Sequence, residues 1–187
     1  MKKISAILIA TFLLSSVAQA GWKWDKARYR DAKNPHYTSE TTTAPSYCFD
    51  GGFDLSLYGS GIWPENIGNN GIGGGLGISY FFNRNLGLEV AYAAHGSGVS
   101  QQVGMLNFIY RMPIESKKGW SFAPYVHGGP GILSAGASEF TWDIGGGLDF
   151  RFESWGCTGL FADYTFAFAD DNIQDYSLVR VGVKFPF

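Results

Sequence analysis

The sequence predicts an all-β fold, an eight-stranded antiparallel transmembrane up-and-down β-barrel. Three observations predict it. From residue 51 to the end, apolar and polar side chains alternate with period two in eight segments, and no segment carries a helical stripe. The apolar face is rich in aromatics, while the opposite face carries glycine and charge together. A soluble sandwich would show that second face to water and need few glycines on it; in a narrow barrel all strands share one small lumen. The segments run about 10–12 residues, close to the ~9–11 that cross a bilayer at a tilt and longer than the ~5–6 of ordinary soluble strands.

Composition agrees. The chain has 187 residues, 17% aromatic, 26 glycines and a formal net charge of −2. Charged residues are 16%, against about 25% in an average soluble domain. That mixture excludes a disordered chain, a coiled coil and a basic nucleic-acid binder, and the glycines lack the period of three that collagen needs.

Residues 1–20 read as an export leader: Lys2 and Lys3, then the short apolar run Ile4 to Leu14, then Ala18-Gln19-Ala20 as a small-x-small cleavage site ahead of Gly21. The run is shorter than the ~20 apolar residues of a retained helical anchor. No cysteine follows the cleavage site, which argues against a lipid anchor. A Sec-type signal peptide places the chain outside the cytoplasm, and the expected location is the outer membrane. Residues 21–47 are polar and aperiodic and are read as a periplasmic N-terminal extension; residues 48–187 are the barrel.

The eight segments follow in order. The first, about 51–60, sets Phe53, Leu55 and Leu57 against Asp54, Ser56 and Ser60. The second, 71–82, sets Ile72, Leu76, Ile78, Tyr80 and Phe82 against Gly73, Gly75, Gly77 and Ser79. The third, 86–95, opposes Leu86, Leu88, Val90 and Tyr92 to Glu89, Ala91 and Ala93; the fourth, 101–112, opposes Leu106, Phe108, Tyr110 and Met112 to Gln101, Asn107 and Arg111. The fifth, 120–129, is weakest, because Pro124 removes a ladder donor between Phe122 and Val126. The sixth, 139–152, has Phe140, Trp142, Ile144, Leu148, Phe150 and Phe152 opposite Thr141, Asp143, Asp149 and Arg151. The seventh, 157–168, has Leu160, Ala162, Tyr164, Phe166 and Phe168 opposite Asp163 and Thr165. The eighth, 176–187, has Val179, Val181, Val183, Phe185 and Phe187 opposite Arg180, Gly182 and Lys184.

The tight link 83–85, with 113–119 and 153–156, is assigned to the periplasm, and 61–70, 96–100, 130–138 and 169–175 to the outside; 96–100 is itself short, so the orientation rests mainly on the C-terminal signal. Residues 48–187 are too few for sixteen strands of about 10 residues, which excludes a wide open porin. Eight strands leave a lumen that side chains can fill. The polar network expected there comprises Asp54, Glu89, Arg111, Asp143, Asp149, Arg151, Asp163, Arg180 and Lys184.

The alternating Val179, Val181, Val183 and Phe185 with terminal Phe187 resemble the insertion signal of bacterial outer-membrane barrels; Pro186 departs from it. In pattern and length, residues 48–187 resemble the opacity-type porin family and the transmembrane domain of outer-membrane protein A. The resemblance implies outer-membrane lipid and the barrel assembly machinery as partners, and exposed loops able to meet an external ligand or surface. It carries no site motif specific to one activity.

Several residues invite chemistry. Cys48 and Cys157 are the only cysteines; an exported chain can pair them, and two buried free thiols are the alternative. His95-Gly96-Ser97 is similar to the His-x-Ser pair of the lipid A deacylase family, in which histidine is the base and serine the nucleophile. Here Gly98 replaces that family's Asn, the fourth segment holds no Glu, and Glu115 lies in the opposite turn. His36 and His127 are isolated from other ligand types. The glycine run at 71–77 lies inside a strand with no helix after it, which fails as a phosphate cradle. Trp120, Trp142, Trp155, Tyr92, Tyr110 and Tyr164 are read as interfacial girdle residues. The expectation is a non-enzymatic barrel with no cofactor or metal and a structural, adhesion or surface role. A narrow channel or carrier for small solutes or hydrophobic molecules is the alternative, and a lipid A-modifying esterase the third.

Overall fold

The computed structural model describes residues 48–65, 70–96, 100–116, 119–169 and 175–187. The signal peptide with its Ala18, Ala20 and Gly21 cleavage site, the extension 21–47, His36 and Ser97 lie outside the described residues. The strands are β1 (Gly52–Pro64), β2 (Gly71–Phe81), β3 (Leu86–Gly96), β4 (Ser100–Arg111), β5 (Ile114–Glu115), β6 (Trp120–Ser134), β7 (Ser138–Phe152), β8 (Gly159–Ala169) and β9 (Tyr176–Pro186). Every pairing is antiparallel. The order β4-β3-β2-β1-β9-β8-β7-β6 closes through β4 on β6, giving an eight-stranded barrel. Closure leaves no open edge, so the ladder bonds are made within the sheet; the β4–β6 ladder is interrupted only at Leu106 and Asn107, opposite Pro130 and Gly129. No α-helix occurs among the described residues.

The alternation resolves into an inside and an outside. Outward side chains include Phe53, Leu57, Ile78, Val90, Phe108, Ile144, Leu160 and Val181, each 40–67% exposed. Inward positions are occupied by charged groups, glycines and a smaller set of apolar side chains. Greasy outside and ionic inside is the reverse of a water-soluble protein, and it is the distribution a lipid-embedded barrel requires. Aromatic rings collect near both ends of the outer wall. Phe53 meets Tyr80 and Phe187 (centroids 4.6 and 5.8 Å apart), and Phe122 meets Trp120 and Phe150 (6.0 and 5.6 Å). At the far end Phe140 meets Trp142 (5.5 Å) and Phe166 meets Phe168 (4.9 Å). Here the lower end means the one where β1 begins and β9 finishes. Phe187 stays on β1 at that end, its backbone N–H donating to Phe53 O at 3.0 Å.

The structure corrects three boundaries. The first strand continues to Pro64. The strand containing Pro124 does not stop at 129; it runs through Ser134, so the predicted 130–138 link contracts to a hairpin at Ala135–Ala137. Pro124 is tolerated because its missing donor faces Met112, where β4 gives way to β5; its carbonyl still accepts from Met112 N–H at 2.9 Å. The residue pairs Arg111–Tyr125 and Ile114–Phe122 share one register, so β5 is β4 resumed beyond Pro113, outside the closed ring. The seventh strand begins at Gly159 rather than 157. Residues Glu153–Trp155 form a single 3-10 turn, and Gly156 and Cys157 follow with φ of +61° and +62°.

Link lengths do not divide cleanly between the ends. At the upper end, β3–β4 and β6–β7 are joined by residues 97–99 and 135–137, as tightly as anything below, while the lower β4–β6 connection is the longest and carries β5.

Candidate functional site in the barrel lumen

The nine charged residues expected inside are all in the lumen, none more than 6% exposed. They form layers whose pairings come from strand register. In the lower layer, Arg151 of β7 grips Asp54 of β1 with two nitrogens, at 3.1 and 2.6 Å. It also donates to Asp149 two residues away, at 3.3 and 3.0 Å. Arg111 stands 3.7 Å from Asp54, and Lys184 stands 3.8 Å from Asp149. This layer has three cations and two carboxylates. The excess charge rests against aromatic faces: Arg111 lies 3.4 Å from the Phe81 centroid, and Lys184 lies 4.9 and 4.8 Å from those of Tyr125 and Phe161.

The middle layer centres on Arg180 of β9. Its Nε and Nη2 donate to the two oxygens of Asp163, both at 2.9 Å, and its Nη1 donates to Glu89 at 2.9 Å. Tyr125 Oη donates to Asp163 at 2.6 Å, and Ser79 Oγ donates to Glu89 at 3.2 Å. Tyr58 lays its ring 5.3 Å from the guanidinium. Gly75 is required beneath it: a Cβ there would collide with the Tyr92 backbone carbonyl oxygen and lie 2.7 Å from the Tyr58 ring.

The upper layers are less ionic. The Asn107 amide nitrogen, turned toward Asp143, reaches its two oxygens at 2.9 and 3.2 Å, and the amide oxygen accepts from His127 Nδ1 at 3.3 Å. Above this, Ile62, Val103, Met105, Leu133, Ala167, Tyr176 and Leu178 join across the lumen in one apolar cluster.

A cap closes the lower mouth. Cys48 and Cys157 are disulfide-bonded. Residues 48–50 cross beneath the lower layer, and Phe49 is completely buried. Arg151 donates to Cys48 O at 3.1 Å; Arg111 donates to Phe49 O and Asp50 O at 3.1 and 3.0 Å. Both guanidiniums lie over the Phe49 ring, at 5.0 and 4.9 Å. Sequence reasoning missed this contribution of Phe49, as well as the inward rings of Tyr58, Phe81, Tyr125 and Phe161. For Tyr58, Tyr125 and Phe161 the signal was parity with Asp54, Ala123 and Asp163; for Phe49 no periodic signal exists.

Among the described residues, His95 meets a hydroxyl and no carboxylate. It is 2% exposed, and its Nε2 lies 2.8 Å from Ser60 Oγ. Its Nδ1 has no hydrogen-bond partner among the described residues, so no carboxylate orients the ring. His127 Nε2 is 3.4 Å from Thr165 Oγ1. Among the described residues, no cluster of three His, Cys, Asp or Glu side chains is placed to hold a metal.

The terminal residues Val179, Val181, Val183, Phe185 and Phe187 lie on the outer face of the seam between β9 and β1. Of the girdle residues, Tyr92, Trp120, Trp142, Trp155 and Tyr164 are exposed and Tyr110 is half-buried.

No family model and no curated protein matches the sequence. The structure is similar to the N-terminal β-barrel domain of Pseudomonas aeruginosa OprF, with a TM-score of 0.51 and 18% identity over 72% of this chain and 99% of that one. Outer membrane protein AlkL in lipid bilayers matches with a TM-score of 0.48 and 15% identity, over 82% and 96% of the two chains. Neisserial surface protein A matches with 0.47 and 9%, over 72% and 96%. The fold is that of the small eight-stranded outer-membrane barrels.

Proposed function

We propose that this protein is a non-catalytic outer-membrane barrel that spans the bilayer without opening a pore and works as a structural or surface-contact element. The observation that carries the reading is the filled lumen. Phe49 blocks the lower mouth, Arg180 with Glu89 and Asp163 bridges the middle, and an apolar cluster fills the upper half. The export leader, the apolar outer wall and the barrel fold support placement in the outer membrane, with the C-terminal alternation as the feature the assembly machinery would read.

Surface contact falls to one side of the upper end. The longer links there are 65–70 and 170–175, and their described ends meet where Glu65 N–H donates to Asp175 O at 3.0 Å. Their carboxylates, Glu65, Asp170, Asp171 and Asp175, favour a cationic partner. The test is planar-bilayer recording on the folded full chain at neutral pH. Silence, with no steady single-channel current, is expected; a steady open level would replace this reading with a solute channel.

A further inference from the structure

Among the described residues, the cap formed by Cys48, Phe49 and Asp50 is the part of the lumen filling that no strand supplies. Its attachment is of two unequal kinds. The non-covalent part consists of three carbonyl oxygens accepting from Arg111 and Arg151, and one phenyl ring beneath two guanidiniums. None of these brings charge to the cationic layer above, and water can replace every carbonyl. The covalent part is the Cys48–Cys157 bond, which joins positions 109 residues apart. It reaches from the start of β1, past β9, to the turn before β8.

The two cysteines differ in exposure. Cys48 is 5% exposed, whereas Cys157 is half-buried and follows four exposed residues, Glu153 to Gly156. We propose that residues 48–50 are a releasable stopper and that the Cys48–Cys157 bond is its latch, opened by thiol–disulfide exchange with an exported dithiol. A thiolate of the dithiol attacks Cys157 Sγ. The S–S bond breaks, and Cys48 leaves as a thiolate and takes a proton. The second sulfur of the dithiol then displaces Cys157, which also takes a proton. The dithiol departs as a disulfide, having passed two electrons and two protons to the protein.

Release uncovers a blind vestibule lined by Arg111, Arg151, Asp54, Asp149 and Lys184. It ends at the Arg180 layer, whose partners all come from strands and which stays shut. The switch therefore exposes a cationic chamber at the lower end without making a through pore.

Residue-resolved labelling with phenylglyoxal, an arginine reagent, tests this on the folded full chain in detergent. In the oxidised protein Arg111, Arg151 and Arg180 should all be protected. After dithiothreitol, with two free thiols counted, Arg111 and Arg151 should label about tenfold faster or more while Arg180 stays protected. Phe49→Ala with the disulfide intact should label Arg111 and Arg151 without reductant. Unchanged rates in the reduced protein would overturn the proposal, because the guanidinium clamp alone would then hold the stopper. A parallel rise at Arg180 would overturn it too, because the whole barrel would be opening. A steady current in the bilayer recording would contradict the sealed lumen and leave these rate differences untouched, so the two failures are distinguishable.

Discussion

Arg180 is fully buried between two carboxylates, and such a group is worth most when one member is removed. Arg180→Met leaves Glu89 and Asp163 buried without their cation, and breaking a buried pair this way costs about 3–5 kcal/mol. A lower urea midpoint for unfolding from lipid vesicles would report it, and adding Glu89→Gln and Asp163→Asn should recover most of the loss. A single variant as stable as the parent would mean that the network contributes nothing. Space is as tightly assigned as charge. Gly75→Ala would press a methyl group into the Tyr92 backbone carbonyl oxygen as well as against the Tyr58 ring, 2.7 Å away, for about 1–3 kcal/mol. Gly104→Ala, where a Cβ meets nothing within 4 Å, should stay within about 0.5 kcal/mol; equal effects in the same unfolding titration would refute the packing argument. At this scale parity was legible in the sequence: Asp54, Arg111, Asp163 and Arg180 fall on the face opposite Phe53, Phe108, Tyr164 and Phe185. Their pairing was not. That Arg151 grips Asp54 and Arg180 grips Glu89 depends on how strands distant in sequence are staggered around the barrel, which alternation along one strand does not encode.

The strands were legible for the same reason that their ends were not. Alternation persists only while one face meets lipid and the other the lumen, so it marks the crossing and fades at the rims, where Trp63, Pro64, Ile132 and Leu133 continue strands past their predicted ends. Pro124 misled because a local donor rule was applied without knowing what lay opposite; the missing bond falls where the neighbouring strand is itself interrupted at Pro113. The outer face of β9 gives a direct prediction. Val181, 59% exposed and midway along the strand, should tolerate arginine badly: Val181→Arg is expected to cost about 2–4 kcal/mol, and Phe187→Arg at the rim about 0–1 kcal/mol. Folding titrations into lipid vesicles would measure both. Equal penalties would mean that β9 does not cross the hydrocarbon.

For the whole molecule, class, strand number and direction of the faces were legible because a bilayer imposes a rule on every strand at once. The cap was not, since Phe49 precedes the periodic region, and Cys48 beside it is tied to a turn 109 residues later. The division of the ends by link length was also misleading, as two upper turns are as short as the lower ones. What unites the layers, the cap and the outer wall is that one side of a closed sheet meets acyl chains and the other meets ions. Magnetisation transfer from lipid acyl-chain protons, recorded by solid-state NMR on the unmodified protein in bilayers, tests that most directly. Signal should reach the methyl groups of Val179, Val181 and Val183 and miss those of Leu178 on the same strand; equal transfer to Leu178 and Val181, or none to either, would contradict the account.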